Sequence, residues 1–399
     1  MMPISFARRM NLLRRSEIRE ILKLTQKKEM ISFAGGLPAP ELFPVEKMKK
    51  IAVSVLEEQG TEALQYSTTE GYEPLRGKIA QRMNQKFQTA VSKEHILITC
   101  GSQQALDFSG KLFLDDDDIV LCESPTYLAA ISAFNAYAPK FIAIKTDDEG
   151  MILEELEKVV SSQKRIKLIY VIPDFQNPTG KTWSLKRRVA FMELMNKYEI
   201  PIIEDNPYGE LRFEKQILPS LKSMDTRGLV IFTSTFSKTF CPGLRIGWIA
   251  AEPALLERYV RIKQGADLCT SIRNQMEIAK FMEVYDFEAH IGKLVALYRS
   301  RRDVMIEMLQ ATLPEDVSFT HPEGGLFLWL ELPDHVKAMQ LLETCLQNNV
   351  AFIPGDSFFP NGGVTNTLRL NYSNMPEEKI REGIRRLSKA IKEYSARES

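Results

Sequence analysis

The run TSTFSKTFCPGLRIGW, residues 233–248, holds the side chains with the clearest chemical purpose in the sequence. Lys238 stands just past an apolar stretch, LVIFTS (229–234), and follows two hydroxyl residues, Thr235 and Ser237. A lysine at the end of a buried strand is rare as a purely structural residue. It is expected as a nucleophile, because burial and neighbouring cations depress an amine's pKa and leave it free to condense with a carbonyl. Arg245 lies seven residues on, and Pro242-Gly243 makes the turn that brings it back. Thr235 and Arg245 would then bracket a phosphate beside the amine.

Other polar punctuation follows apolar runs in the same way. TCGSQQALD comes after HILIT (95–99), where backbone N–H groups, the Ser102 hydroxyl and Gln103 form an anion site at a helix start. Gly-Ser is also ordinary N-cap punctuation, so this signal is weak alone. SPTY follows DIVLCE (118–123) and places Tyr127 near the same edge, either flat on a planar ring or simply covering core. PDFQNPTG follows IKLIYVI (166–172); Asn177 before Pro178 is extended, and the turn presents its amide outward, or it is a turn residue and no more. EDNPYGEL closes IPIIED (200–205). Glu204 and Asp205 point to opposite faces of a strand, so at most one meets the site. A buried carboxylate there calls for a cation, and a protonated pyridine nitrogen would serve. Tyr208, three residues on, could reach the same ligand.

These positions need a frame. Between residues 95 and 250 the β-rich runs, which also include KFIAI (140–144) and RIGWIA (245–250), alternate with amphipathic pieces such as QALDFSGKLFL, AAISAFNAY and LEELEKVVSS. Alternation of this kind, with near-continuous apolar strands, predicts a parallel sheet buried on both faces, with ligands beyond its carboxyl ends. From Pro253 a long helix leads to a second region: helix 290–313, strands near 316–320 and 325–331, helix 334–348, a strand at 366–371 and a closing helix from Pro376. That region reads as a smaller α+β lobe. The segment 1–50, rich in Pro and Gly at FAGGLPAPELFP, is expected to pack with it, leaving 51–285 as the large domain and 286–399 as the small one. DDDD at 115–118 reads as a solvated turn.

Composition narrows the partners. The 399 residues suit two domains in intimate contact. Lys plus Arg equals Asp plus Glu at 52 each, which gives no electrostatic excess for nucleic acid or an anionic membrane and favours a small substrate. No apolar run approaches the roughly 20 residues of a membrane span, and the basic N-terminus reads as an amphipathic helix rather than a signal. Five cysteines without a CxxC pair point to reduced thiols in a cytoplasm, and four scattered histidines without ligand spacing point to no metal site.

FSKTFCPGLRIGW resembles the lysine motif of the class I/II aminotransferases of fold type I, which use pyridoxal phosphate (PLP). FAGGLPAPELFP, QYSTTEGYEPLR, GSQQALD, NPTG, EDNPYGEL and LRLNYS are similar, in the same order, to the branch containing 2-aminoadipate and kynurenine aminotransferases. The resemblance spans nearly the whole chain. It implies an α/β fold with a large, mostly parallel sheet and a smaller α+β domain, and a transaminase activity in amino acid metabolism. It implies that Lys238 carries PLP as a Schiff base and shuttles the proton, that Asp205 keeps the pyridine nitrogen protonated, and that Asn177 and Tyr208 meet the ring's 3-oxygen. Tyr127 would stack on the ring, and Ser102, Gln103, Thr235 and Arg245 would hold the phosphate. Tyr66 would reach the phosphate of the other subunit, which makes a homodimer the working unit. Arg369 would clamp the substrate α-carboxylate, with Asn177 and the Gly36 backbone nearby, since a planar fork suits a carboxylate. Where the family often has Ser three before the lysine, this chain has Thr235, which keeps the hydroxyl.

Two other activities share the scaffold. PLP lyases that eliminate a β-substituent from cysteine-like substrates would use the same cofactor residues; the FAGGLPAPELFP segment favours transfer. The effector domain of a GntR-like regulator has this fold behind a winged helix, but here the motifs begin at residue 33 and the net charge is zero. Finally, RRSEIREILKLTQ spaces Ile18, Ile21, Leu22 and Leu24 as on a helix. Arg19, on another face, is either a solvated charge or a movable partner for the distal carboxylate of an acidic substrate.

Overall fold

The structure, a computed structural model, describes residues 4–13 and 29–398. Arg19 and the apolar positions around it lie outside the described residues. Within 4–13 there is a single 3-10 turn, Arg8–Asn11, with no buried side chain.

An eight-stranded sheet forms the centre of the large lobe. Its strands are β2 (Ile96–Thr99), β3 (Ile119–Ser124), β4 (Lys140–Asp147), β5 (Gly150–Met151), β6 (Ile166–Val171), β7 (Ile202–Asp205), β8 (Val230–Thr235) and β9 (Gly247–Ala250), where β1 (Ile31–Ser32) precedes them outside this sheet. The order is β2-β9-β8-β7-β6-β3-β4-β5. Period-two pleating explains the continuous apolar runs. Val120, Tyr170, Ile203 and Ile231 pack one face against Phe108, Phe134 and Tyr259, while Leu121, Ile169, Ile202 and Val230 pack the other against Phe191 and Met195. The five central strands β8, β7, β6, β3 and β4 run parallel to one another, and β5 at the far edge pairs antiparallel with β4.

One expectation about this sheet needs correcting. β9 runs antiparallel to both β8 and β2. Only residues 236–246 connect β8 to β9, which is too short for the helical crossover that parallel strands need. The reversal still leaves β2 pointing the same way as β8. Thr99 and Thr235 are both paired with Gly247, so their carboxyl ends stand on either side of it.

The smaller lobe carries an antiparallel sheet in the order β10-β11-β14-β13, from β10 (Ser318–Phe319), β11 (Phe327–Glu331), β13 (Ile353–Pro354) and β14 (Thr367–Asn371). β14 lies between β11 and β13, with Arg369 opposite Trp329 and Ile353. β1 pairs in parallel with β12 (Val350–Ala351), which ties the N-terminal segment to this lobe. Helices Phe287–Thr312 and Glu377–Glu398 pack together behind it.

The acidic turn at 115–118 is solvated at three positions only. Asp118 is buried, accepts a hydrogen bond from the Asp115 backbone N–H at 2.9 Å and pairs with Arg165 at 3.0 Å. A strand that starts in the core draws its first carboxylate inward, and the cation follows it.

A buried ionic knot holds the loop after β6. The Asp174 carboxylate accepts two bonds from Arg188, at 2.7 and 3.2 Å, one from Arg212 at 3.4 Å and one from Asn206 at 3.0 Å. Arg188 comes from the helix Leu185–Tyr198, and Arg212 also pairs with Glu323 of the small lobe at 3.2 Å. Removing one member of such a group strands the other charges without water. Asp174→Ala is therefore expected to lower stability by about 3–5 kcal/mol, read as a drop in the urea midpoint; a shift within error would show that Arg188 finds enough backbone carbonyls without it.

Candidate active site

The strand ends converge on Lys238. β8 finishes at Thr235, and a tight turn follows in which the Phe240 N–H donates to the Phe236 carbonyl at 2.9 Å. Lys238 is half-buried, and its Nζ donates to the Gly36 carbonyl at 2.8 Å. Burial first, then the Arg369 and Arg245 cations, lower this amine to about 8, and Asp205 opposes them. Gly36 has no room for a side chain, since a Cβ there would stand 2.8 Å from Phe327 Cζ.

The pleat separates the two acids at the end of β7, as expected. Glu204 turns away and accepts from the Leu221 and Lys222 N–H groups, both at 2.9 Å. Asp205 turns toward Lys238 and is 2% exposed. Its Oδ2 accepts from the Tyr170 hydroxyl at 2.7 Å, and its Oδ1 has no partner. Desolvation pushes this carboxyl up to about 7 against the Tyr170 bond and the Lys238 charge.

Asn177 departs from its expected orientation. Its amide is not presented outward; the residue is 3% exposed and turned into the site. The reason is a cation that the turn alone does not reveal: Asn177 Oδ1 accepts from Arg369 Nη1 at 2.8 Å, while Nδ2 lies 3.5 Å from the Tyr208 hydroxyl. Arg369 is 1% exposed, with Nη2 bonded to the Ala34 carbonyl at 2.7 Å and Nε unpartnered. Its guanidinium lies 4.1 Å from the Phe327 ring centre and 5.2 Å from that of Phe358. Burial lowers it to about 10, against the pull of Tyr208 and Tyr127.

A second cluster stands by Gly247. The helix Ser102–Phe113 starts after Gly101, whose φ of +72° suits glycine, and no side chain caps it. Its first N–H groups, those of Ser102 and Gln103, therefore have no intrahelical partner. A Cβ on Gly247 would meet Gly101 C at 2.7 Å and Ser102 N at 2.8 Å, so the helix start rests directly on the sheet. Arg245, itself at φ +54°, reaches the Cys100 carbonyl and the Ser237 hydroxyl at 3.3 and 3.4 Å. The Thr235 hydroxyl is bonded to the Ile246 carbonyl and to Ser237. The Gln103 side chain is turned away to the Ala129 carbonyl at 3.0 Å, so only its backbone N–H faces the cluster.

Tyr127 precedes the helix Leu128–Asn135, and burial, with Asp205 nearby, pushes its phenol up to about 12. Tyr66 is 79% exposed and joins none of these groups within one chain. Tyr170, Phe327 and Phe358 are site neighbours that sequence reasoning did not single out, and Ser237 was named there only as a hydroxyl before Lys238. Only Tyr170, a hydroxyl in an otherwise aliphatic run, carried a signal. Among the described residues, no group of His, Cys, Asp or Glu could hold a metal, and no helix is long and apolar enough to cross a membrane.

Residues 28–387 match the family described as aminotransferase class I and II. The chain is 47% identical over 382 residues to aromatic-amino-acid aminotransferase 1 of Thermococcus litoralis, covering 95% of this chain and 92% of that one. It is similar in structure to a Pyrococcus horikoshii kynurenine aminotransferase solved with PMP, with a TM-score of 0.93, 42% identity and coverage of 98% and 97%. An alpha-aminoadipate aminotransferase of Thermus thermophilus, complexed with N-(5'-phosphopyridoxyl)-L-leucine, matches with a TM-score of 0.92, 41% identity and 98% of both chains. The chain belongs to the class I and II aminotransferases and is a PLP-dependent transaminase of fold type I.

Proposed function

We propose that this aminotransferase moves amino groups between aromatic, aliphatic or aminoadipate-like amino acids and a 2-oxo acid such as 2-oxoglutarate, with Arg369 as the α-carboxylate clamp. One observation carries the reading: a buried guanidinium with an unpartnered Nε is linked through Phe327 and Gly36 to the Lys238 amine. The relatives' names support the breadth, since they cover aromatic, kynurenine and aminoadipate activities and one carries a leucine adduct.

The open positions suit PLP. Asp205 Oδ1, buried and without a partner, fits a protonated ring nitrogen. Asn177 and Tyr208 stand together for the 3-oxygen, and Tyr127 offers its ring for stacking. The N–H groups of Ser102 and Gln103, with Thr235, Ser237 and Arg245, fit a phosphate. When bound, PLP supplies the electron sink that lets the Cα–H bond of an amino acid break. Lys238 holds the cofactor covalently between turnovers and moves the proton from substrate Cα through its Nζ. Its lowered pKa puts more of the amine in the proton-accepting form at a given pH than an ordinary lysine would have. Arg369 fixes the carboxylate, and Gly36 leaves room against Phe327.

Arg245 and Tyr66 are both exposed in the single chain. A homodimer in which Tyr66 reaches the partner's phosphate accounts for both. Free thiols at all five cysteines fit a cytoplasmic setting.

Four outcomes are expected. Borohydride should fix PLP to Lys238 alone, and peptide mapping that places the label on another lysine ends the assignment. A lowered amine pKa means that the nucleophilic form grows as pH rises toward about 8 and is complete above it. Covalent uptake by the apo-protein should thus accelerate about tenfold per pH unit and level off there, whereas an ordinary lysine would keep gaining to about 10.4. Arg369→Ala should leave the bound-cofactor absorbance intact while kcat/KM falls about a hundred- to several-thousand-fold; a loss under tenfold would assign the carboxylate to another cation. Sedimentation at assay concentration should show a dimer, and a fully active monomer would refute the shared site.

A further inference from the structure

We infer that Tyr170 is a positioning residue of this reaction, whose hydroxyl pins one oxygen of Asp205 and so aims the other at the cofactor's ring nitrogen. The inference rests on the reading that Asp205 meets that nitrogen. Tyr170 lies on β6 opposite Ile203 of β7, and Asp205 is two residues further along the same face. The hydroxyl and Oδ2 are 2.7 Å apart, with Tyr170 at 1% and Asp205 at 2% exposure. Phe134 holds the phenol ring edge-on at 5.9 Å.

The contrast with the other buried acids at the strand ends makes the case. Glu204 accepts two backbone N–H groups, and Glu123 accepts the Ile172 N–H at 3.0 Å and the Trp183 Nε1–H at 2.9 Å. Each of those carboxylates is satisfied on both oxygens by the fold itself. Asp205 has one donor, Tyr170, and one bare oxygen. The arrangement leaves the fold one hydrogen bond short on the side where a ligand must complete it. Burial and Asp205 raise the Tyr170 phenol well above its ordinary value, so it stays a donor throughout the working range. The other titratable groups facing Asp205 are Tyr127 before the helix Leu128–Asn135, Tyr208 after β7 and Lys238 after β8, of which only Lys238 is cationic.

Donation by Tyr170 stabilises the carboxylate and keeps it a poor competitor for the ring proton. Without it, Asp205 takes up its own proton at higher pH, so cofactor binding weakens most on the acid side. The test is a double-mutant cycle of Tyr170→Phe and Asp205→Asn, read as PLP affinity of the apo-protein by tryptophan fluorescence from pH 6 to 9. Tyr170→Phe should weaken PLP about ten- to a hundred-fold, the range of a lost hydrogen bond to a charged group, and more so at pH 6 than at pH 9. Amino-acid KM, set through Arg369, should stay within about twofold while kcat falls. On the Asp205→Asn background Tyr170→Phe should add little, because the charge it serves is gone. Equal PLP affinity in Tyr170→Phe and parent at every pH, or fully multiplicative effects in the double variant, would overturn the inference and leave Asp205 in its role. Asp205→Asn binding PLP like the parent would overturn both. If Tyr170→Phe does not fold, Tyr170→His, which keeps an N–H donor, should hold PLP within about tenfold of the parent; a loss as large as that of Asp205→Asn would overturn the proposal.

Discussion

A guanidinium withdrawn from water without a carboxylate to meet it is the constraint on which the site depends. Among the described residues Arg369 has no ion-pair partner, and its charge is balanced by the Ala34 carbonyl, the Asn177 amide oxygen and the faces of Phe327 and Phe358. Dipoles and π-electrons of this kind offset only part of the desolvation cost. The remainder is a standing demand for an anion, and it is directed, because the two aromatic rings cover faces of the fork and leave Nε open. On the reading of Arg369 as the carboxylate clamp, this binding energy is stored in the fold before the substrate arrives.

That demand also explains how distant parts of the chain come to lie together. Arg369 sits on β14 in the middle of the small sheet, Ala34 follows β1, and Asn177 is in the loop after β6 of the large sheet. One side chain therefore joins the N-terminal segment and both lobes. The Asp174 knot does the corresponding work a few residues away, gripping the same loop from Arg188 and passing through Arg212 to Glu323. The loop carrying Asn177 is thus held at both ends by arginines.

Much of this was legible in the sequence because strand ends announce themselves. Lys238, Asp205, Tyr208 and Asn177 each follow an apolar run, and the structure gathers them at one edge of one sheet. Strand alternation showed that only one of Glu204 and Asp205 could meet the site, and the family resemblance pointed to Asp205. What was not legible involved partners from elsewhere in the chain. Nothing near Asn177 shows that Arg369, 192 residues away, will turn its amide inward. Phe327 and Phe358 read as ordinary core until the guanidinium lies between them. Tyr170 sits in the middle of an apolar run, where its hydroxyl looks like a packing choice. The reversed β9 was readable in principle from the shortness of residues 236–246, but its hydrophobicity matched that of the parallel strands of the same sheet. Asp118 shows the same limit on a smaller scale, since four identical residues in a row do not reveal which one Arg165 will hold.

Gly247 has a further consequence. It is flanked in the sheet by Thr99 and Thr235, with the backbone of Gly101 and Ser102 pressed against its bare α-carbon. The strand that leads to Lys238 and the strand that leads to the helix Ser102–Phe113 are thus spaced by a single residue that has no side chain. A methyl group there would act as a shim, forcing apart the helix start and β8, since it would meet Gly101, Ser102 and Ser234 at under 3 Å. The reach from the Lys238 amine to the first N–H groups of that helix is a length, and in this fold it is gauged by a missing carbon atom.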